Sequence, residues 1–171
     1  MGSNGNLPFM PSRFEHRASF AAPVDTVYST LVDEAFLTAR LRDIGGKGAA
    51  LLDHLTSEDG VSYRLRQGVD AKHLPSAVRS ILSGDLVVER AERWKGHEYV
   101  GKATINGVPA EIRSRSRLTA RGDDAELVTQ AEVKVSIPLI GGKIEKAVAE
   151  QVTKLLAAEA EYAEKWLAEH A

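Results

Sequence analysis

The stretch VKVSIPLIGGKIE, from Val133 to Glu145, joins two different periodicities. Small and apolar residues alternate with polar ones from Ala125 to Ile137, which predicts a β-strand. Pro138 and the pair Gly141-Gly142 end this alternation, and from Lys143 to Glu169 apolar residues recur at helical spacing. A helix of that length extends about 40 Å. This part of the chain is therefore predicted to form a strand followed by one long amphipathic helix.

Upstream of this junction, the period of two continues back to Gly48. One interruption is long: between Asp70 and Asp85 the apolar spacing suggests one or two helical turns, closed by Gly84. Short turn sequences separate the alternating runs, which predicts about six strands connected largely as hairpins. The turn sequences are Asp59-Gly60, Lys95-Gly96, Asn106-Gly107 and Gly122-Asp123.

The N-terminal part adds one strand and two short helices. Arg13 to Phe20 alternates strictly, Pro23 begins a helical run, and a second helical run ends at Gly45-Gly46. Strands bracketed by helices are typical of α+β proteins. We therefore predict a helix-grip arrangement: a curved antiparallel sheet of about six to seven strands, two short helices after the first strand, and the long C-terminal helix packed in the concave face.

Composition excludes several classes of protein. The chain has 171 residues, 22 Lys plus Arg against 24 Asp plus Glu, and no cysteine. The absence of a basic excess argues against a nucleic-acid partner, and the lack of cysteine excludes disulfides and thiolate zinc sites. No apolar stretch is long enough to cross a membrane, and the start lacks a secretory signal. We expect a cytoplasmic protein in which residues 12-171 form one domain after a flexible tail, residues 1-11.

The order of elements and three stretches of sequence resemble a known superfamily. The stretches are FEHRASFAAPVDTVYSTL (Phe14 to Leu31), LPSAVRSILSGDL (Leu74 to Leu86) and VKVSIPLIGGKIE (Val133 to Glu145). Together they resemble the START and birch-pollen-allergen superfamily, also called SRPBCC, and within it an uncharacterised bacterial branch defined as a domain of unknown function. The resemblance implies a seven-stranded sheet that grips the C-terminal helix around an apolar pocket for lipids, polyketides or similar molecules. It brings no catalytic motif that can be transferred to this chain.

The inward face of the predicted sheet carries many small residues and few large ones, which indicates a cavity. Pockets need a few polar groups to orient a ligand, and His16, Ser114, Ser116 and Thr129 provide them here. His16 also fits a hydrogen-bonded core histidine, and the three hydroxyls also fit mutual hydrogen bonds. The predicted ligand-binding residues are Phe14, His16, Tyr63, Leu65, Tyr99, Ile105, Ile112, Ser114, Ser116, Thr129, Val133, Val148, Val152 and Leu155.

The long connector between Asp70 and Asp85 is a candidate lid, because long loops in regular sheets often close binding sites. Its apolar residues Leu74, Val78, Ile81 and Leu82 are predicted to close the mouth of the cavity. A plain packing turn fits the same pattern. The five histidines have no metal-ligand spacing, so neither a metal nor a cofactor is expected.

Charged runs are interpreted as solvated faces. This interpretation covers the row Arg113, Arg115, Arg117 and Arg121, which is expected to pair with residues such as Glu126. It also covers the run Glu89, Arg90, Glu92 and Arg93. The acidic residues of the last helix, among them Glu159, are unfavourable for the helix macrodipole, so the end of this helix is expected to fray.

Three hypotheses about function follow. The first is a non-enzymatic carrier or sensor for a hydrophobic small molecule, as a monomer or homodimer. The second is a cyclase- or dehydratase-like enzyme that uses His16 with Tyr63 or Tyr99 for proton transfer. The third is a protein-interaction module whose cavity is filled and whose outer surface binds a partner. No residue is assigned a catalytic role by motif.

Overall fold

A computed structural model describes residues 12-74, 76-80 and 84-171, and within them seven strands form one antiparallel sheet. The order across the sheet is β1-β7-β6-β5-β4-β3-β2, so strands β2 to β7 form a meander and β1 joins its far edge beside β7. The predicted tail, residues 1-11, lies outside the described residues. The strands are β1 (Ser12–Phe20), β2 (Ala50–Ser57), β3 (Gly60–Val69), β4 (Leu86–Lys95), β5 (Glu98–Ile105), β6 (Ala110–Arg121) and β7 (Asp124–Val135).

The helices lie where the sequence predicts them. Asp33 caps α2, because its carboxylate accepts a hydrogen bond from the Phe36 backbone N–H at 3.0 Å. The predicted α+β helix-grip fold is confirmed, with α4 beginning two residues before the expected Lys143. None of the helices in the described ranges is long and apolar enough to cross a membrane. The helices are α1 (Val24–Leu31), α2 (Glu34–Ile44), α3 (Ser76–Arg79) and α4 (Gly141–Glu169), with a 3-10 turn at Ala71–His73.

The junction between β7 and α4 is closed by a buried carboxylate. Glu145 in the second turn of α4 is 1% exposed, and its Oε1 accepts a hydrogen bond from the Val135 backbone N–H at 3.0 Å. This bond ties the start of the helix to the end of the strand. Leu139 makes the turn between them with a positive φ of 70° and is fully exposed. The sequence pattern does not single out Glu145, although its side chain joins the strand and the helix of this stretch.

The apolar core is divided into two clusters. The first packs α1, α2 and the end of α4 against the sheet around Phe36 and Leu118. The second joins the connector, the start of α4 and the opposite end of the sheet around Leu86 and Val133. Between them, α4 carries no fully buried residue from Lys146 to Ala158. The middle of the long helix therefore stands over the sheet without close packing.

Candidate ligand cavity

A cavity of about 1130 Å³ lies under the middle of α4 and is lined by residues of both core clusters. The helix contributes Val148, Val152, Leu155 and Leu156, which are only half-buried because they face this space. Typical ligand pockets measure about 300–1,000 Å³, so this one is large enough for a lipid-sized molecule.

Small side chains at the centre of the sheet create the space. Ala131, Ser114 and Gly101 are register partners on three neighbouring strands, β7, β6 and β5. Strands stand about 4.8 Å apart, so this row makes a floor roughly 10 Å wide without a large side chain. Gly101 has a second role: a Cβ there would lie 2.2 Å from the Tyr99 hydroxyl, so only glycine lets the Tyr99 ring fold over its own strand.

Eleven of the fourteen predicted ligand-binding residues line this cavity, and three do not. Leu65 and Val133 are fully buried, each in one of the two core clusters, and have no surface left to offer a ligand. Phe14 is half-buried on the edge strand β1 and packs against the second cluster. The residues that line the cavity are His16, Tyr63, Tyr99, Ile105, Ile112, Ser114, Ser116, Thr129, Val148, Val152 and Leu155.

The described part of the connector between Asp70 and Asp85 forms part of the cavity wall. Leu74 and Val78 are buried, line the cavity and belong to the second core cluster. The other two predicted lid residues, Ile81 and Leu82, lie outside the described residues. The Gly45 to Gly48 loop and exposed residues such as His73 and Lys154 also border the cavity.

The four predicted polar anchors do not form one group. The Ser116 and Thr129 hydroxyls lie 2.8 Å apart and bond each other. His16 lies opposite Thr129 on β1 and lines the cavity, and its imidazole makes no hydrogen bond to a described residue. The register places His16 three strands from Tyr99, or about 14 Å along the sheet. The proton-transfer set of the enzyme hypothesis is therefore not assembled by direct hydrogen bonds.

A buried group of charged and polar side chains lines the cavity near the β4 strand. We call it the polar cluster, and it consists of Arg40 from α2, Gln67 from β3, Arg90 and Glu92 from β4, and Glu159 from α4. All five are buried or nearly so. Burying charges costs free energy unless they are paired, so their mutual contacts decide what the cluster can do.

Arg90 is the centre of this polar cluster. Its Nη1 donates to both carboxylate oxygens of Glu159, at 3.0 and 3.1 Å, and to Gln67 Oε1 at 3.1 Å. Its Nη2 forms an ion pair with Glu92. Burial alone would lower the pKa of Arg90, but the carboxylates of Glu159 and Glu92 outweigh it and hold that pKa well above the ordinary value. Arg90 is therefore a permanent cation with its partners in place.

Arg40 is bound far less completely. Its Nη2 lies 3.3 Å from Glu159 Oε2, an ion pair without hydrogen-bond geometry. Both Nη2 and Nε are buried and have no hydrogen-bond partner among the described residues. Together Arg40 and Arg90 lower the pKa of Glu159 even though burial alone would raise it. The polar cluster thus contains two cations and two anions, and Glu92 Oε1 is the one further buried atom of the cluster without a hydrogen-bond partner among the described residues, although it is ion-paired with Arg90.

Two tyrosines stand beside the polar cluster. The Tyr63 hydroxyl accepts a hydrogen bond from Trp94 Nε1 at 3.1 Å, and the Tyr99 hydroxyl lies against Ser114. Burial, with the Glu92 charge adding to it, raises the pKa of both phenols. Both hydroxyls therefore stay protonated at neutral pH and can donate hydrogen bonds.

Replacing Tyr63 with Phe is expected to lower the free energy of unfolding by about 1–3 kcal/mol, because the buried indole N–H of Trp94 loses its acceptor. Urea unfolding measures this change. Tyr162→Phe is the matched control, because the Tyr162 hydroxyl bonds Asp43 at the surface and should cost less than about 1 kcal/mol. Equal losses for the two variants would contradict a buried Tyr63–Trp94 hydrogen bond.

The sequence interpretation was wrong for two residues of the polar cluster. Arg90 and Glu92 were assigned to solvated faces, but they point inward, and Glu159 near the helix end is buried with them. A signal was available: Arg90 and Glu92 alternate in phase with Leu86, Val88 and Trp94, which line the same cavity. The neighbours Glu89 and Arg93 are exposed as expected, and so is the row Arg113, Arg115 and Arg117 on β6, where Arg117 pairs with Glu98.

Residues 15–167 match the family described as a protein of unknown function (DUF2505). The chain belongs to this family. One relative found by sequence is an uncharacterized protein of Mycobacterium tuberculosis (strain H37Rv). It is 25% identical over 170 residues, which cover 92% of this chain and 98% of that protein. Sequence relatives thus extend over nearly the whole DUF2505 chain.

Solved structures share the fold of this DUF2505 protein at low sequence identity. A START superfamily protein from Mycobacterium smegmatis has a TM-score of 0.59 at 17% identity, over 93% of this chain and 99% of that chain. The Zhui aromatase/cyclase from Streptomyces sp. R1128 has a TM-score of 0.63 at 13% identity, over 90% and 94% of the two chains. These likenesses confirm the predicted START-type fold and, because one relative is an enzyme, leave function to the site itself.

Proposed function

We propose that this protein binds a hydrophobic small molecule, such as a lipid or polyketide, as a carrier or sensor. The observation that supports the proposal is the cavity of about 1130 Å³ beneath a helix whose apolar residues are left half-buried. Burying apolar surface is worth about 25 cal/mol per Å², so a lipid chain enclosed here would gain several kcal/mol from its tail alone. The wall residues that contact it are the eleven predicted positions that line the cavity.

The two other hypotheses draw less support. An interaction module was expected to have a filled cavity, whereas the described side chains leave it open. A cyclase- or dehydratase-like enzyme needs an acid and a base within reach of each other, and His16 lies three strands from Tyr99. The relationship to an aromatase/cyclase keeps this alternative open at the level of the fold.

Mass spectrometry of an organic extract is the direct test of the proposal. The protein is purified from its own cells, extracted, and compared with a blank prepared in the same way. A hydrophobic molecule present at close to one equivalent would support a carrier and name its chemical class. An empty extract combined with no binding of a neutral hydrophobic dye by the folded protein would overturn the proposal.

Filling the cavity from α4 should weaken binding. Val152→Trp places an indole in the space beneath the helix, and we expect at least fivefold weaker binding of the neutral dye N-phenyl-1-naphthylamine in a fluorescence titration. Thr153→Trp is the matched control, because Thr153 is the adjacent β-branched residue and is exposed. Equal binding by Val152→Trp and the wild type would mean that the dye sits elsewhere.

A further inference from the structure

We infer that the ligand carries an uncharged oxygen acceptor, such as the carbonyl of a ketone or ester, and that Arg40 binds this oxygen at the polar end of the cavity. The inference rests on the proposed function, since it assigns one end of a hydrophobic ligand held in the same cavity. It comes from a difference between the two arginines of the polar cluster: Arg90 has several hydrogen-bond and ion-pair partners, whereas Arg40 has one ion-pair contact.

The polar cluster is rich in donors. A guanidinium has five N–H donors and no acceptor, so Arg40 and Arg90 together offer ten. Arg90 takes both oxygens of Glu159, the Gln67 oxygen and an ion pair with Glu92. Arg40 keeps one long contact with Glu159, and two of its nitrogens have no hydrogen-bond partner. A group entering the cavity beside Arg40 must therefore supply an acceptor.

The charges decide between a carbonyl and a carboxylate. Arg40 and Arg90 are already balanced by Glu92 and Glu159, so an added anion would give this buried site a net negative charge. That anion would also stand close to Glu159, whose Oε2 is 3.3 Å from Arg40 Nη2. Like charges at such short separation repel strongly where water is excluded. An uncharged acceptor satisfies Arg40 without this cost.

Arg40 borders the cavity directly. Its unpartnered nitrogens are covered in the present rotamer. To bring these nitrogens to a ligand, the side chain must turn toward the cavity, away from the Phe36 ring and Glu159 that it now contacts. The apolar wall made by Val148, Val152 and Leu155 then accommodates the rest of the molecule.

Matched ten-carbon compounds test the inference. 2-Decanone, decanoate at pH 8 and decane are titrated against N-phenyl-1-naphthylamine bound to the wild type, Arg40→Met and Arg42→Met. We expect Arg40→Met to weaken 2-decanone about tenfold and to change decane less than twofold. Arg42→Met is the control on the same helix, since Arg42 is exposed and pairs with Asp43 at the surface; it should change neither compound.

Each other outcome has a definite meaning. Equal weakening of decane and 2-decanone by Arg40→Met would overturn the inference, because Arg40 would then only support the cavity wall. Tighter binding of decanoate than of 2-decanone by the wild type would also overturn it, in favour of an anionic ligand. Failure of the wild type to bind the dye and all three compounds would contradict the proposed function itself. Retained decane binding shows that Arg40→Met is folded.

Discussion

Glu159→Gln is expected to lower the free energy of unfolding by about 3–5 kcal/mol, the cost of removing one partner from a buried ion pair. The substitution keeps the shape of the side chain and removes its charge. Arg40 and Arg90 then share a single buried carboxylate, Glu92. A guanidinium keeps its charge inside a protein, so the imbalance is not relieved by loss of a proton. Urea unfolding followed by circular dichroism measures the loss.

Glu161→Gln is the control on the same helix. The Glu161 and Glu159 side chains are 70% and 8% exposed, and Glu161 pairs only with Lys165 at the surface. Surface pairs of this kind contribute about 0.2–1 kcal/mol, so this variant should stay close to the wild type. Similar losses for the two variants would mean that the polar cluster is as well hydrated as the surface.

The pH dependence of the free energy of unfolding provides a second test with the same variant. The pKa of Glu159 is lowered in the folded protein from its ordinary value of 4.5, so its charge stabilises the fold at pH values above that ordinary value. This contribution is lost as the pH falls through the lowered folded-state pKa. The gap in stability between the wild type and Glu159→Gln should therefore be full at neutral pH and shrink in acid. A gap that widens in acid would contradict the assignment.

Local signals in the sequence were sufficient to predict the fold. Alternation over eight to twelve residues defines each strand, turn sequences such as Asn106-Gly107 connect neighbours, and the Pro138 to Gly142 break separates sheet from helix. Each of these signals acts between residues close in the chain. Because the strands β2 to β7 pair in sequence order, local signals also determine the order of the sheet.

The polar cluster could not be predicted in the same way. Arg90 and Glu159 are 69 residues apart in the chain, and Arg40 comes from a third element. A charged residue at an inward position is tolerated only if residues distant in the sequence pair with it, and no local sequence pattern predicts such pairing. Alternation with Trp94 could have placed Arg90 inside, but the charge itself argued for the surface. Arg90 is buried because carboxylates from β4 and α4 pair with it in the folded protein.

The sequence pattern also could not predict which inward residues line the cavity. Leu65 and Ala103 are both inward residues, and both lie opposite Arg90 on its two neighbouring strands, yet only Ala103 lines the cavity. The period of two fixes which face a residue occupies. It does not fix how closely the helices approach that face, and α2 with the end of α4 covers the sheet near Leu65.

Replacing the whole polar cluster with apolar side chains is expected to recover the stability that Glu159→Gln loses. The variant carries Met at positions Arg40, Gln67, Arg90, Glu92 and Glu159. Apolar replacement of a complete buried ionic group is often neutral or stabilising by about 1–4 kcal/mol, because no charge remains to be desolvated. Its free energy of unfolding should equal or exceed that of the wild type, again by urea unfolding.

The same variant separates stability from recognition. It should bind decane at least as well as the wild type. It should also lose any preference for 2-decanone over decane, since no hydrogen-bond donor remains in that part of the cavity wall. A fold made more stable and less selective would mean that the ionic group is retained for the ligand and opposes stability. If the five-residue variant is instead less stable than Glu159→Gln, the polar cluster holds α2, α4 and β4 together, and its role is structural.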